Sequence, residues 1–206
     1  MSDDRWAAGR EVLRAADLRM AALVDADPGL DPDALFDGWP SDLWGALVLQ
    51  VIGQQLSRAA ATAILGRLEA LHDGRLPTPS ELLATDEETL RRIGLSRAKS
   101  VYLHDLAARL VDGRLDLERL RTLDDDAARA ELIQVKGVGR FTAEGVLMLA
   151  LRRPDVWPAA DLALRRAVER VWGLAAPASV EEIDALGERF RPWRTLAAAY
   201  LYRSLR

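Results

Sequence analysis

Two places in this 206-residue chain bring together residue types that can do chemistry. The first is 132–143, LIQVKGVGRFTA. An apolar turn ends at Val135, Lys-Gly-Val-Gly follows, and a second apolar helix is expected from Phe141 to Leu151. Gly137 and Gly139, two apart, let the backbone take positive φ and approach another surface closely. The amides after Gly139 open a helix N-terminus, where anions bind well, and Arg140 adds a positive charge. A phosphate fits that pattern. On these residues alone, so does a tight turn between two helices. The second place is Asp161, which ends the loop RRPDVWPAAD and opens LALRRAVERVWG, an amphipathic helix. A helix cap would by itself explain this acid. A lesser feature is Gln54-Gln55 in the joint GQQLS, which two adjacent surface amides would also explain.

The elements that must position these residues read as helices almost throughout. Leu, Ala, Arg and Glu dominate and strand-like alternation is nearly absent. Residues 4–26 present one apolar face and are expected to form a helix ended by Pro28 and Gly29. Ser41 is expected to cap DLWGALVLQVIG, and Ser57 the helix from Arg58 to Leu71. Thr85-Asp86-Glu87-Glu88 reads as a capping box for a short helix, and Ser96 caps a long one reaching Gly113. Arg97 and Lys99 lie in its first turn, where the dipole disfavours cations, so they suit either a phosphate or a solvated face. His104 reads as a surface or packing residue. Asp124-Asp125-Asp126 suits a helix start and offers too few ligands for a metal site. Ser179 opens another capping box, and Pro192-Trp193 the last helix.

Composition sets limits. Half the residues are apolar, enough to bury a core. Neither a secretory signal nor a membrane-length apolar run is visible, which leads us to expect a cytoplasmic protein, nucleoid-associated in a bacterium. With no Cys there is no disulfide, thiol nucleophile or iron–sulfur cluster, and with only His72 and His104 a His-based metal site is not expected. The net charge of −4 does not advertise a nucleic-acid partner. The charge is uneven, however. Residues 1–120 carry 14 basic and 20 acidic side chains, while 121–206 carry 14 and 12.

Four ordered blocks resemble the helix-hairpin-helix (HhH-GPD) DNA glycosylase superfamily: VIGQQLS, LIQVKGVGRFTA, WPAADLALRRAV and RPWRTLAAAYLY. Within it the nearest likeness is to 3-methyladenine DNA glycosylases of the AlkA type. The resemblance implies an all-α fold of two lobes, 1–41 with 152–206, and 42–151 containing the hairpin 132–145. It sets Asp161 at a central cleft as the catalytic aspartate, stabilising the oxocarbenium-like sugar as the N-glycosidic bond breaks. The matching DNA contacts are Gln54, Gln55, Lys136, Gly137, Val138, Gly139, Arg140 and Thr142. Gln55, ahead of Gln54, would fill the gap left by a flipped nucleotide. Phe141 and Tyr202 fall at positions of pocket aromatics, with Trp39 and Trp44 as further candidates and Trp157 and Trp193 behind them. Trp193 reads rather as a pin between helices, with Arg194 a buried partner for a carboxylate.

Bifunctional relatives carry a Schiff-base lysine where this chain has Phe141, so the resemblance implies a monofunctional enzyme. Lys136 stands where the family often has proline, a departure that adds charge and loosens the loop. Backbone carbonyls of Ile133, Val135 and Val138 would hold Na+ or K+. No other cofactor is implied. The expected partner is damaged double-stranded DNA, met by a monomer without membrane attachment, and the expected substrates are 3-methyladenine and 7-methylguanine. Two other readings stay open: the same fold acting on deaminated or oxidised bases, and a non-catalytic DNA-binding protein. The larger bacterial relative has an N-terminal β region, for which this chain is too short.

Overall fold

The computed structural model describes residues 4–36, 40, 42–174 and 177–206. All regular elements among them are helical. In chain order they are α1 (Ala7–Ala16), α2 (Leu18–Ala26), α3 (Leu43–Gly53), α4 (Arg58–Ala70), α5 (Pro79–Ala84), α6 (Glu87–Arg92) and α7 (Arg97–Val111). Then come α8 (Leu117–Thr122), α9 (Asp125–Leu132), α10 (Arg140–Leu149), α11 (Leu162–Trp172), α12 (Val180–Gly187) and α13 (Arg194–Ser204). Short 3-10 turns occupy Asp33–Phe36 and Glu188–Phe190. No helix among the described residues is long and apolar enough to cross a membrane.

The chain forms two compact units, Met1–Gly38 with Arg152–Arg206, and Trp39–Leu151. The first is built on α1, α2, α11, α12 and α13 around Trp6, Leu13, Met20, Trp157, Phe190 and Tyr200, all buried. Trp193 meets Trp6 edge to face at 5.9 Å between ring centres and also lies against Gly9, so it does pin α13 to α1. Arg194 is mostly buried and holds Asp155 through two nitrogens, at 2.7 and 3.1 Å. In the second unit α3 is buried along most of its length and packs against α4, α7 and α10.

Local chemistry explains where the expected boundaries shift. Residues 4–26 form two helices, because Asp17 leaves the helical region (φ −158°) and its carboxylate accepts the amides of Arg19 and Met20. The cap of α3 is Asp42, whose side chain accepts from Gly45. Ser41 lies outside the described residues. Asp86, and not Thr85, caps α6, while a full capping box stands one helix earlier, at Thr78 and Glu81 of α5. Ser57, Ser96 and Ser179 cap α4, α7 and α12 as expected.

Candidate nucleic-acid interface and carboxylate site

In the second unit every helix from α3 to α9 begins with a side-chain cap from Asp, Ser or Thr. Helix α10 does not, because its N-cap is Gly139. That end therefore presents backbone amides and the positive end of the dipole with no side chain of its own in front. The two hairpin glycines are not alike. Gly137 has φ +76°, and a Cβ there would lie 2.2 Å from the Tyr102 ring. Gly139 has φ −90°, so the expected positive φ is absent, and nothing lies within 4 Å of where its Cβ would be. At Gly137 any side chain would meet both an unfavourable φ and the Tyr102 ring. Gly139 leaves open the ground in front of α10.

Helix α7 carries the hairpin from below. Tyr102 packs under Gly137, and Asp105 accepts the Lys136 amide at 2.8 Å and Arg109 at 2.9 Å. Burial opposes charge on Asp105, but the Lys136 amide and Arg109 outweigh it and hold the carboxyl below its usual range. The hairpin closes with the Val138 amide donating to the Val135 carbonyl at 3.0 Å. Lys136 is exposed. Arg140 bends back along α10 to Glu144, 2.8 Å away, whose side chain is buried. Its guanidinium thus serves a buried acid while staying half exposed.

The two glutamines have different surroundings. Gln54 Nε2 donates to the Gly137 carbonyl at 2.9 Å and reaches Thr142 Oγ1 at 3.4 Å, so it ties α3 to the hairpin. Gln55 is exposed and sits at φ +58°, a conformation that costs a long side chain on the order of 1 kcal/mol. Lys99, read as a phosphate ligand or a solvated face, instead donates from Nζ to the Ile52 carbonyl at 2.7 Å, and burial lowers its basicity. Arg97 pairs with Glu87 at 3.2 Å.

The joint and the start of α10 enclose a cavity of about 330 Å³, lined by Gln50, Gln54, Gln55, Leu56, Phe141 and Thr142 among others. Phe141 is 49% exposed. Gln50 was not foreseen. Its amide lies over Gly145, where a Cβ would meet Nε2 at 2.2 Å, one turn along α10 from Phe141. The sequence signal is a glycine inside an otherwise good helix. Trp44 does not join this group, since its indole N–H donates to the Pro77 carbonyl at 2.8 Å. Trp39 lies outside the described residues.

In the first unit Asp161 caps α11. Its Oδ1 accepts the Ala163 amide at 2.8 Å, and its Oδ2 accepts the Tyr202 hydroxyl at 2.6 Å. The preceding loop is held by Thr195, which accepts the Val156 amide and donates to the Arg153 carbonyl. Trp157 is core, with its N–H on the Ile183 carbonyl. A half-buried carboxylate on a firmly held turn can stabilise a developing positive charge. No group of three or more His, Cys, Asp and Glu able to hold a metal occurs among the described residues.

Residues 48–192 match the family described as HhH-GPD superfamily base excision DNA repair protein. DNA-3-methyladenine glycosylase 1 of Schizosaccharomyces pombe is 33% identical over 160 residues, 77% of this chain and 70% of that one. Among solved structures, the same organism's 3-methyladenine DNA glycosylase Mag1, in complex with abasic DNA, superposes with a TM-score of 0.80 at 28% identity, over 95% of each chain. A DNA-3-methyladenine glycosidase from Bacillus halodurans gives 0.73 at 28% identity, over 91% of this chain and 89% of the other.

Proposed function

The chain belongs to the HhH-GPD superfamily of base excision DNA repair proteins, and from that premise we propose that it is a monofunctional DNA glycosylase for alkylated purines. It acts as a monomer on damaged duplex DNA, in the cytoplasm, and at the nucleoid in a bacterium. The observation that carries the reading is Asp161, a carboxylate fixed from two sides by Ala163 and Tyr202. The relatives named as 3-methyladenine glycosylases support the choice of lesion.

A purine methylated at N3 or N7 is already a cation. As the bond from C1′ to the base breaks, its electron pair leaves with the base, which departs neutral. The positive charge passes to the sugar. Asp161 stabilises that charge and orients a water, whose oxygen bonds to C1′ and whose second proton is released. No general acid is needed for a leaving group of this kind. Phe141, at the lysine position of bifunctional relatives, forms no Schiff base, so the strand stays uncut.

The uncapped start of α10 supplies amides for a DNA phosphate, with Lys136 and Arg140 beside it and Val138 and Thr142 flanking the turn. Gln55 enters the stack where the nucleotide leaves, at a cost of about a few kcal/mol for unstacking. Phe141 offers its ring to a cationic base. By the resemblance the carbonyls of Ile133, Val135 and Val138 would hold a monovalent cation; Val135, which accepts from the Val138 amide, keeps a second lone pair for it. Such an ion, when bound, would add positive charge to the hairpin's hold on phosphate.

The test is base release from methylated duplex DNA by wild type and Asp161→Asn, followed by hot alkali. Release of 3-methyladenine or 7-methylguanine by wild type alone, with strand cuts only after alkali, is the expected result. Intact DNA binding without release would move the protein to another lesion or to a binding role. Equal release by both would reduce Asp161 to a helix cap.

A further inference from the structure

Granting Asp161 as the catalytic carboxylate, we propose that Tyr202 is its positioning residue, acting through its hydroxyl rather than only through its ring. The cap bond from Ala163 to Oδ1 anchors one oxygen. It leaves rotation about the terminal carboxylate torsion soft, because that torsion has broad minima. The Tyr202 hydroxyl, 2.6 Å from Oδ2, removes this freedom. The plane of the carboxylate is then set by two helices, α11 and α13. A charge-stabilising group misplaced by a fraction of an ångström loses much of its effect, so setting that plane is worth rate.

The helix that carries Tyr202 is itself rigid. Tyr200, two residues earlier, is fully buried; its hydroxyl donates to the Asp27 carbonyl at 3.1 Å and accepts from Arg10 at 3.3 Å. At the other end of α13 the Thr195 amide donates to the Pro154 carbonyl, in the loop that leads to Asp161. Within AYLYRS, therefore, one tyrosine fixes the helix and the other uses it as a support. A carboxylate has more acceptor sites than these two donors fill, so Asp161 keeps lone pairs for a water or the sugar.

Tyr202→Phe keeps the ring and deletes only the donor, and Tyr202→Leu deletes both. Single-turnover and steady-state release of 7-methylguanine should show kcat falling about tenfold in Tyr202→Phe with KM unchanged, the size of a lost hydrogen bond to a charged group. Tyr202→Leu should also raise KM. A Tyr202→Phe enzyme as fast as wild type, or one whose loss lies in KM alone, would overturn the positioning role alone. A wild type releasing no base from methylated DNA would overturn the glycosylase reading and this role with it.

Discussion

Helices α10 and α11 begin in opposite ways. Both have a positive N-terminal end that favours a negative partner. At α11 the chain supplies the partner itself, the carboxylate of Asp161. At α10 the N-cap is Gly139, with no side chain to offer. The same backbone property thus becomes a fixed internal anion in one unit and an open place for an external anion in the other. What decides is one residue at the cap, against a background in which α3 to α9 are all capped by side chains.

The largest way to disturb this contrast is at Gly137. Gly137→Ala should cost roughly 2–4 kcal/mol, from a strained φ and overpacking against Tyr102. The urea midpoint would report it, and Gly139→Ala, which meets no neighbour but is a poorer N-cap, should move that midpoint much less. Equal losses would mean that the two glycines share one role. Next is Gly139→Asp, which gives α10 the cap that α11 already has. DNA affinity should fall about tenfold at low salt, while the fold gains about a few tenths of a kcal/mol. Unchanged affinity would show that no phosphate uses this end. Conversely, Asp161→Ala should lower stability by about 1 kcal/mol, as loss of a cap does. If thermal unfolding showed a gain instead, the acid would be held against its own preference.

The smallest effect concerns pH. Asp105 has its carboxyl lowered in the fold, so it contributes stability above the usual carboxylate pKa of about 3.9 and loses it as pH falls through the folded value. Wild type and Asp105→Asn should differ by about 1 kcal/mol or less at neutral pH and converge in acid. A gap that persists at low pH would place the contribution in packing rather than charge.

Much of this was legible in the chain. The hairpin is readable because its glycines and apolar flanks are local, and caps such as Ser57, Ser96 and Asp161 because each bonds an amide two or three residues away. Errors at Thr85 and Ser41 came from neighbouring residues that could cap equally well. Asp17 was missed since the apolar face runs through it unbroken. Apart from the carboxylate partner of Arg194, long-range bonds left little trace. Gln54 meets Gly137 across 83 residues and Tyr202 meets Asp161 across 41, and a side chain does not announce such a partner. Gln50 reads as one more polar residue on an apolar helix, and its only sequence signal is the distant Gly145.

Gln54 and Gln55 carry identical side chains in adjacent places, yet their freedom to vary differs. A change at 54 breaks the tie to the Gly137 carbonyl and reshapes the hairpin. A change at 55 leaves that tie in place and alters an exposed side chain at the edge of the cavity. The joint therefore separates holding from projecting within one dipeptide, and a descendant of this chain could alter the outward side chain while keeping intact the part that holds on.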